Sequence, residues 1–212
     1  MNRDNGWRIS VSGLSMLFVL GWFATGAVAG PHDHTMQSEL PVGAYASDSL
    51  YQLTSTWTTA TGQRLQLGAL RDKARVVVMY YSTCEYACPI LISRVKNIEA
   101  GLQPESRDKV GFVGVTFDPE RDTLPVLQAY RAKMHLNPEH WTLLRGQPDD
   151  ILELAVLLGV KYRKNPQGDF SHSNLITVLN PAGEIVYRQV GLHQPIAETI
   201  AAIHQVAQDV TQ

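Results

Sequence analysis

The sequence predicts an α/β sandwich, a central mixed sheet flanked by helices and preceded by an N-terminal β-hairpin. Three observations predict it. Two apolar, β-branched runs, Val76 to Ser82 and Val110 to Phe117, have the length of strands buried on both faces, and a segment of helical periodicity lies between them. Two further pairs of strand-like runs flank turn-forming residues, Thr61-Gly62 and Asn180-Pro181-Ala182-Gly183. The chain then closes on Ile196, Ile200, Ile203, Ala207 and Val210, spaced to form one apolar helix face.

Taken in order, Arg3 and Arg8 precede an uncharged stretch from Ile9 to Pro31 that is densest from Leu14 to Phe23. Ala27-Val28-Ala29 has the small-residue pattern of an export cleavage site, so residues 1–29 read as an export signal. The stretch is also long enough to cross a bilayer, which makes an uncleaved membrane anchor the alternative. In both cases the arginines stay inside, and the expected location of the remaining chain is the periplasm. No cysteine lies near residue 30, which excludes a lipid-modified N-terminus of the lipoprotein kind. Residues 30–48, rich in Gly, Pro, Ser and His without apolar periodicity, read as a flexible tether.

Residues 49–212 form the expected folded domain. Trp57 to Leu67 is a hairpin, and Val76 to Ser82 a buried strand. A helix follows from about Pro89 to Leu102, because Leu91, Val95, Ile98 and Leu102 step by four, three and four. Val110 to Phe117 is the next strand, ended by Asp118-Pro119-Glu120-Arg121-Asp122-Thr123, which caps a helix running to about Met134. Trp141 to Leu144 is a short strand. A helix with Asp149 and Asp150 in its first turn stops at Gly159. Leu175 to Leu179 and Ile185 to Gln189 make the second hairpin. Parallel strands joined by crossover helices and finished by an antiparallel hairpin and a helix describe a thioredoxin-like sandwich.

Charge excludes one class of partner. Removing Arg3, Arg8 and Asp4 from 18 basic and 20 acidic residues leaves a mildly acidic remainder. Its longest basic cluster, Lys161-Tyr162-Arg163-Lys164, is too short for a phosphate-binding face and reads as a solvated edge, so nucleic acid is not an expected partner.

The chemistry concentrates in the chain's two cysteines, Cys84 and Cys88, which follow the Val76 strand and precede Pro89. Two thiols four residues apart at a helix start share a face, and the unpaired amides there favour thiolate. They can close on a soft metal ion or on each other. Burial as small apolar side chains is the bland alternative, and a structural disulfide closing so short a loop adds little stability. A two-thiolate copper site needs a third donor. Among seven histidines, His204 and His140 sit where packing explains them, His135 follows a helix end, and His193 is a loop residue without a visible partner. His172 directly precedes the Leu175 strand, where a thioredoxin-like fold faces the cysteine motif.

The Cys-x-x-x-Cys-Pro motif after a strand, the Asp118 to Thr123 segment, and His172-Ser173 ahead of a strand and an Asn-Pro-x-Gly turn resemble the Sco/SenC family over roughly residues 48–205. Those proteins are exported or membrane-anchored copper proteins that help metallate the binuclear copper centre of cytochrome c oxidase. The resemblance implies that Cys84, Cys88 and His172 bind one copper ion, with Asp118 nearby but not a ligand. It further implies a copper-accepting oxidase subunit, a periplasmic copper donor and a thiol reductant as partners. Glu85-Tyr86 departs from the family's Pro-Asp after the first cysteine, which loosens that loop and changes its surface. Two thiolates and an imidazole suit both Cu(I) and Cu(II), although zinc accepts the same donors. The competing expectation is a thiol-disulfide oxidoreductase with Cys84 and Cys88 as its redox pair, or a redox or copper sensor. His32, His34 and Met36 form a weak auxiliary copper-binding candidate.

Overall fold

The structure is a computed structural model that describes residues 48–208. The signal or anchor, the tether to residue 47 and the His32, His34 and Met36 candidates lie outside the described residues. The described chain begins with a 3₁₀ turn, Leu50–Gln52, tied down by the Leu50 amide donating to the Gly183 carbonyl at 2.9 Å. The expected hairpin follows as β1 (Trp57–Thr59) and β2 (Arg64–Leu65).

Next come β3 (Ala74–Tyr80), α1 (Ala87–Gly101), a single helical turn α2 (Pro104–Arg107), β4 (Val110–Thr116) and α3 (Leu124–Lys133). β5 (Trp141–Arg145) and α4 (Pro148–Leu158) complete the crossover part. Gly159 ends α4 in the left-handed region at φ 81°, and the Val160 amide returns to the Ala155 carbonyl at 2.8 Å, so the stop expected there has its physical cause. A small hairpin of β6 (Tyr162–Lys164) and β7 (Phe170–His172) precedes β8 (Leu175–Leu179), β9 (Ile185–Val190) and α5 (Ala197–Gln208).

Seven strands form one sheet in the order β2-β1-β5-β4-β3-β8-β9, and β6 and β7 pair apart from it. β3 runs parallel to β4, and β4 to β5, whereas β8 is antiparallel to β3 and β9 to β8. This is the mixed, helix-flanked sheet of the thioredoxin-like class. All seven residues of β4 are buried, as a strand covered on both faces requires.

Side-chain alternation separates the two layers. On the Tyr80 face, α3 stacks Tyr130 on Tyr80 at 4.8 Å, and Lys96 of α1 donates to the Met134 carbonyl at the end of α3. On the Val77 face, Leu154 of α4 lines one small apolar cavity together with Val77, Val113, Val115, Leu50 and Leu70. Among the described residues no helix is long and apolar enough to cross a membrane.

Two local expectations are refined. α1 begins at Ala87, so Cys84 lies in the turn ahead of the helix while Cys88 is in its first turn. Thr123 occupies the N-cap position of α3 but makes no capping side-chain bond, and Asp122 beside it is spent elsewhere.

Candidate metal centre

The chain leaves β3 at Tyr80 and turns immediately, with the Cys84 amide donating to the Tyr81 carbonyl at 3.3 Å. The Cys88 amide, an otherwise orphaned N–H of the first helical turn, donates to Cys84 Sγ at 3.2 Å. The helix start thus reaches the cysteine that precedes it. Both thiols are free, Cys84 9% exposed and Cys88 fully buried.

His172 arrives on the β6–β7 hairpin. That hairpin turns on Asn165-Pro166-Gln167-Gly168, where the Gly168 amide bonds the Asn165 carbonyl at 3.0 Å and Gly168 takes φ 89°. Register places Tyr162 opposite His172. With its ring proton on Nδ1, His172 donates to the Ser173 carbonyl at 3.2 Å and turns the Nε2 lone pair toward Cys88 Sγ, 3.6 Å away, as a hydrogen-bond acceptor. The donor atoms of Cys84, Cys88 and His172 all lie within 4.8 Å of one another.

Aromatic rings hold the imidazole in place. Phe117 sits 5.1 Å and Tyr81 5.9 Å from the His172 ring, and Phe170 packs against both at 5.0 and 5.2 Å. Arg121 clamps this layer: it pairs with Asp118, donates to the Gly168 carbonyl at 2.6 Å and lies 6.0 Å from the Tyr81 ring. Asp118 is therefore buried against Arg121 and joins the end of β4 to the His172 hairpin. In front is an open cleft of about 410 Å3, lined by Cys84, Tyr86, Asp169, Phe170 and His172 among others.

The two thiols differ electrostatically. Burial pushes Cys84 up, but hydrogen bonds from the Cys88 amide and thiol, the Tyr86 amide and the Tyr81 side chain outweigh it, leaving its pKa lowered. Cys88 is raised, chiefly by burial, with the Cys84 and Asp122 charges adding to it. Tyr81 is pushed up to about 12, mainly by burial, with Cys84 and Cys88 nearby. Cys84 is the more readily ionised of the two thiols, and a cation that compensates the buried charge would favour loss of the Cys88 proton.

The other described histidines stand elsewhere. His140 Nδ1 pairs with Glu99 at 2.8 Å, His204 Nε2 accepts from the Gln103 amide, and His135 and His193 are exposed. Sequence reasoning missed Ser82, Asp122 and the β6–β7 hairpin. The hairpin had a legible signal, because Asn165-Pro166-Gln167-Gly168 repeats the pattern of the turn at Asn180. Both asparagines use their side-chain oxygen alike, Asn165 accepting from the Asp169 amide at 2.8 Å and Asn180 from the Glu184 amide at 3.0 Å.

A thioredoxin-like sheet that brings Cys84 and His172 to one open cleft, with Cys88 buried beside them, assembles a donor set suited to soft-metal or thiol chemistry. A model of the SCO1/SenC family matches residues 45–208, and the chain belongs to that family. The copper-bound structure of Bradyrhizobium japonicum ScoI is 23% identical, with TM-score 0.61 over 72% of this chain and 96% of that one. The SCO1/SenC lipoprotein of Bacillus anthracis is 20% identical, with TM-score 0.67 over 77% and 99%. Copper-bound yeast Sco1 is 19% identical, with TM-score 0.61 over 73% and 86%. At these identities the likeness establishes the fold. A provisionally named copper-binding protein of Stutzerimonas stutzeri is 24% identical over 120 residues, 55% of this chain, and the match spans 57% of that relative's length.

Proposed function

We propose that this chain is a copper metallochaperone that holds one copper ion through Cys84, Cys88 and His172 and passes it to the binuclear copper centre of cytochrome c oxidase. The convergence of those three donor atoms within 4.8 Å carries the reading. Family membership supports it, as do the copper-bound relatives and the copper-binding name of the Stutzerimonas relative. The donor set fits the cargo: thiolates favour Cu(I), and the imidazole serves Cu(II) as well. Cys84 and His172 line the cleft, so an acceptor's sulfur or nitrogen can replace one of them by ligand exchange, without any change of oxidation state. The expected partners are the copper-accepting oxidase subunit, a periplasmic copper donor and a thiol reductant, met outside the cytoplasm after export through residues 1–29. The test is transfer from the Cu(I)-loaded protein to the apo soluble domain of that subunit, read by the copper content of the re-isolated recipient. Metallation faster than from chelated copper at equal free concentration supports the proposal. A recipient filled only by free copper contradicts it.

A second reading has its own observation. A lowered outer thiol beside a raised buried one is the asymmetry that thiol-disulfide exchange uses, Cys84 attacking and Cys88 resolving. His172 separates the two readings, because only copper holding needs its Nε2.

A further inference from the structure

Asp122 is fully buried, yet its hydrogen bonds go to no proposed ligand. One carboxylate oxygen accepts from the Ser82 hydroxyl, and the other accepts from the Ser82 amide at 3.1 Å and from the Thr116 hydroxyl. Thr116 is itself fixed, paired with Tyr80 across β3 and β4 and accepting from the Asp118 amide at 3.0 Å. The Asp122 amide closes a turn onto the Asp118 carbonyl at 2.9 Å. Asp122 is thus built into the end of β4, and it grips a residue two positions ahead of Cys84.

That grip falls where the chain needs one. Between the end of β3 and the start of α1 the backbone has neither ladder nor helix bonds, and Thr83, Glu85 and Tyr86 are exposed. Glu85-Tyr86 adds no rigidity of its own. A buried carboxylate with three donors is a stronger anchor than a neutral acceptor, because charge-assisted bonds are shorter and stronger. An amide in its place would offer one acceptor oxygen and turn an N–H toward a donor.

We propose that Asp122 is a positioning residue: through Ser82 it fixes the Cys84 turn so that Cys84 Sγ stays on the Cys88 amide and within reach of His172. What the pose serves rests on the copper reading, but the pose itself is testable without metal. Reduced apo protein, alkylated with iodoacetamide and followed by mass spectrometry, reports Cys84 accessibility, and titration with oxidised glutathione reports closure of the Cys84–Cys88 disulfide. Wild type is compared with Ser82→Thr, Ser82→Ala, Asp122→Asn and the Ser82→Ala/Asp122→Asn double variant, with thermal melts confirming the fold.

Ser82→Ala and Asp122→Asn are each expected to change the Cys84 alkylation rate by about five-fold or more, and the double variant no further than the larger single, as for two residues acting through one contact. Ser82→Thr, which keeps both donors, is expected to match wild type. Rates for Ser82→Ala within about two-fold of wild type, or effects that simply add, would overturn the proposal. If Asp122→Asn does not fold, the Ser82→Ala and Ser82→Thr comparison decides it alone. Absence of Cu(I) binding by wild type would sink the copper reading and leave this comparison intact.

Discussion

At the scale of single residues, two identical cysteine side chains sit in different surroundings. Cys84 is lowered from its ordinary value by the donors around it, so in the folded state it binds fewer protons than in the unfolded chain. It therefore contributes stability above the ordinary thiol pKa that is lost as pH falls through the folded value. Its alkylation midpoint is expected below that of a free cysteine, and that of Cys88 above it. Alkylation rates measured for each cysteine across pH check this, and equal midpoints would contradict it. His172 carries the second prediction. Loss of a ligand should exceed the roughly 10 to 100-fold cost of disturbing a group behind the ligands, so His172→Ala is expected to lower Cu(I) affinity beyond that range. Glutathione reduction of the Cys84–Cys88 disulfide should be nearly unchanged in the same variant. Unchanged copper binding would favour the thiol-exchange reading.

At the scale of elements, the β6–β7 hairpin brings His172 to the cysteines, and it lies outside the main sheet. Its attachment is aromatic packing and the Arg121 clamp, with Phe170 touching Tyr81, Phe117 and Tyr162. Phe170 is only half-buried, so Phe170→Ala is expected to cost about 2 kcal/mol, below the range for fully buried phenylalanines. The same variant should weaken copper binding. Urea unfolding and a copper titration on one preparation check both. This hairpin also shows where sequence reading stops. Leu91, Val95 and Ile98 announce α1 by their spacing, because helix burial repeats every three to four residues. Three-residue strands, with only Arg163 and Ser171 turned outward, are too short to show such a pattern, and their packing is decided by rings that arrive from the ends of β3 and β4. Only the repeated Asn-Pro-x-Gly turn betrayed it.

At the scale of the whole molecule, the parallel core was legible because β3 and β4 are long apolar runs, with β5 a shorter one beside them. The order of strands was not, since pairing β1 with β5 and β8 with β3 depends on contacts distant in sequence. Asp122 escaped notice for the same reason: its partner Ser82 lies 40 residues away and meets it only after the sheet forms. The fold as a whole should report its ligand by mass action. At a free copper concentration 100 times the dissociation constant, binding stabilises the native state by about 2.7 kcal/mol, so the reduced protein should melt higher with Cu(I) and Cys88→Ser should not.

The most direct test of the central claim is an anaerobic Cu(I) titration of the reduced protein against a chromophoric competitor, run on wild type, Cys84→Ser and Cys88→Ser. One tightly bound copper per chain is expected for wild type, and loss of that tight binding for either serine variant. Wild-type affinity in either variant would place the copper site elsewhere and contradict the account.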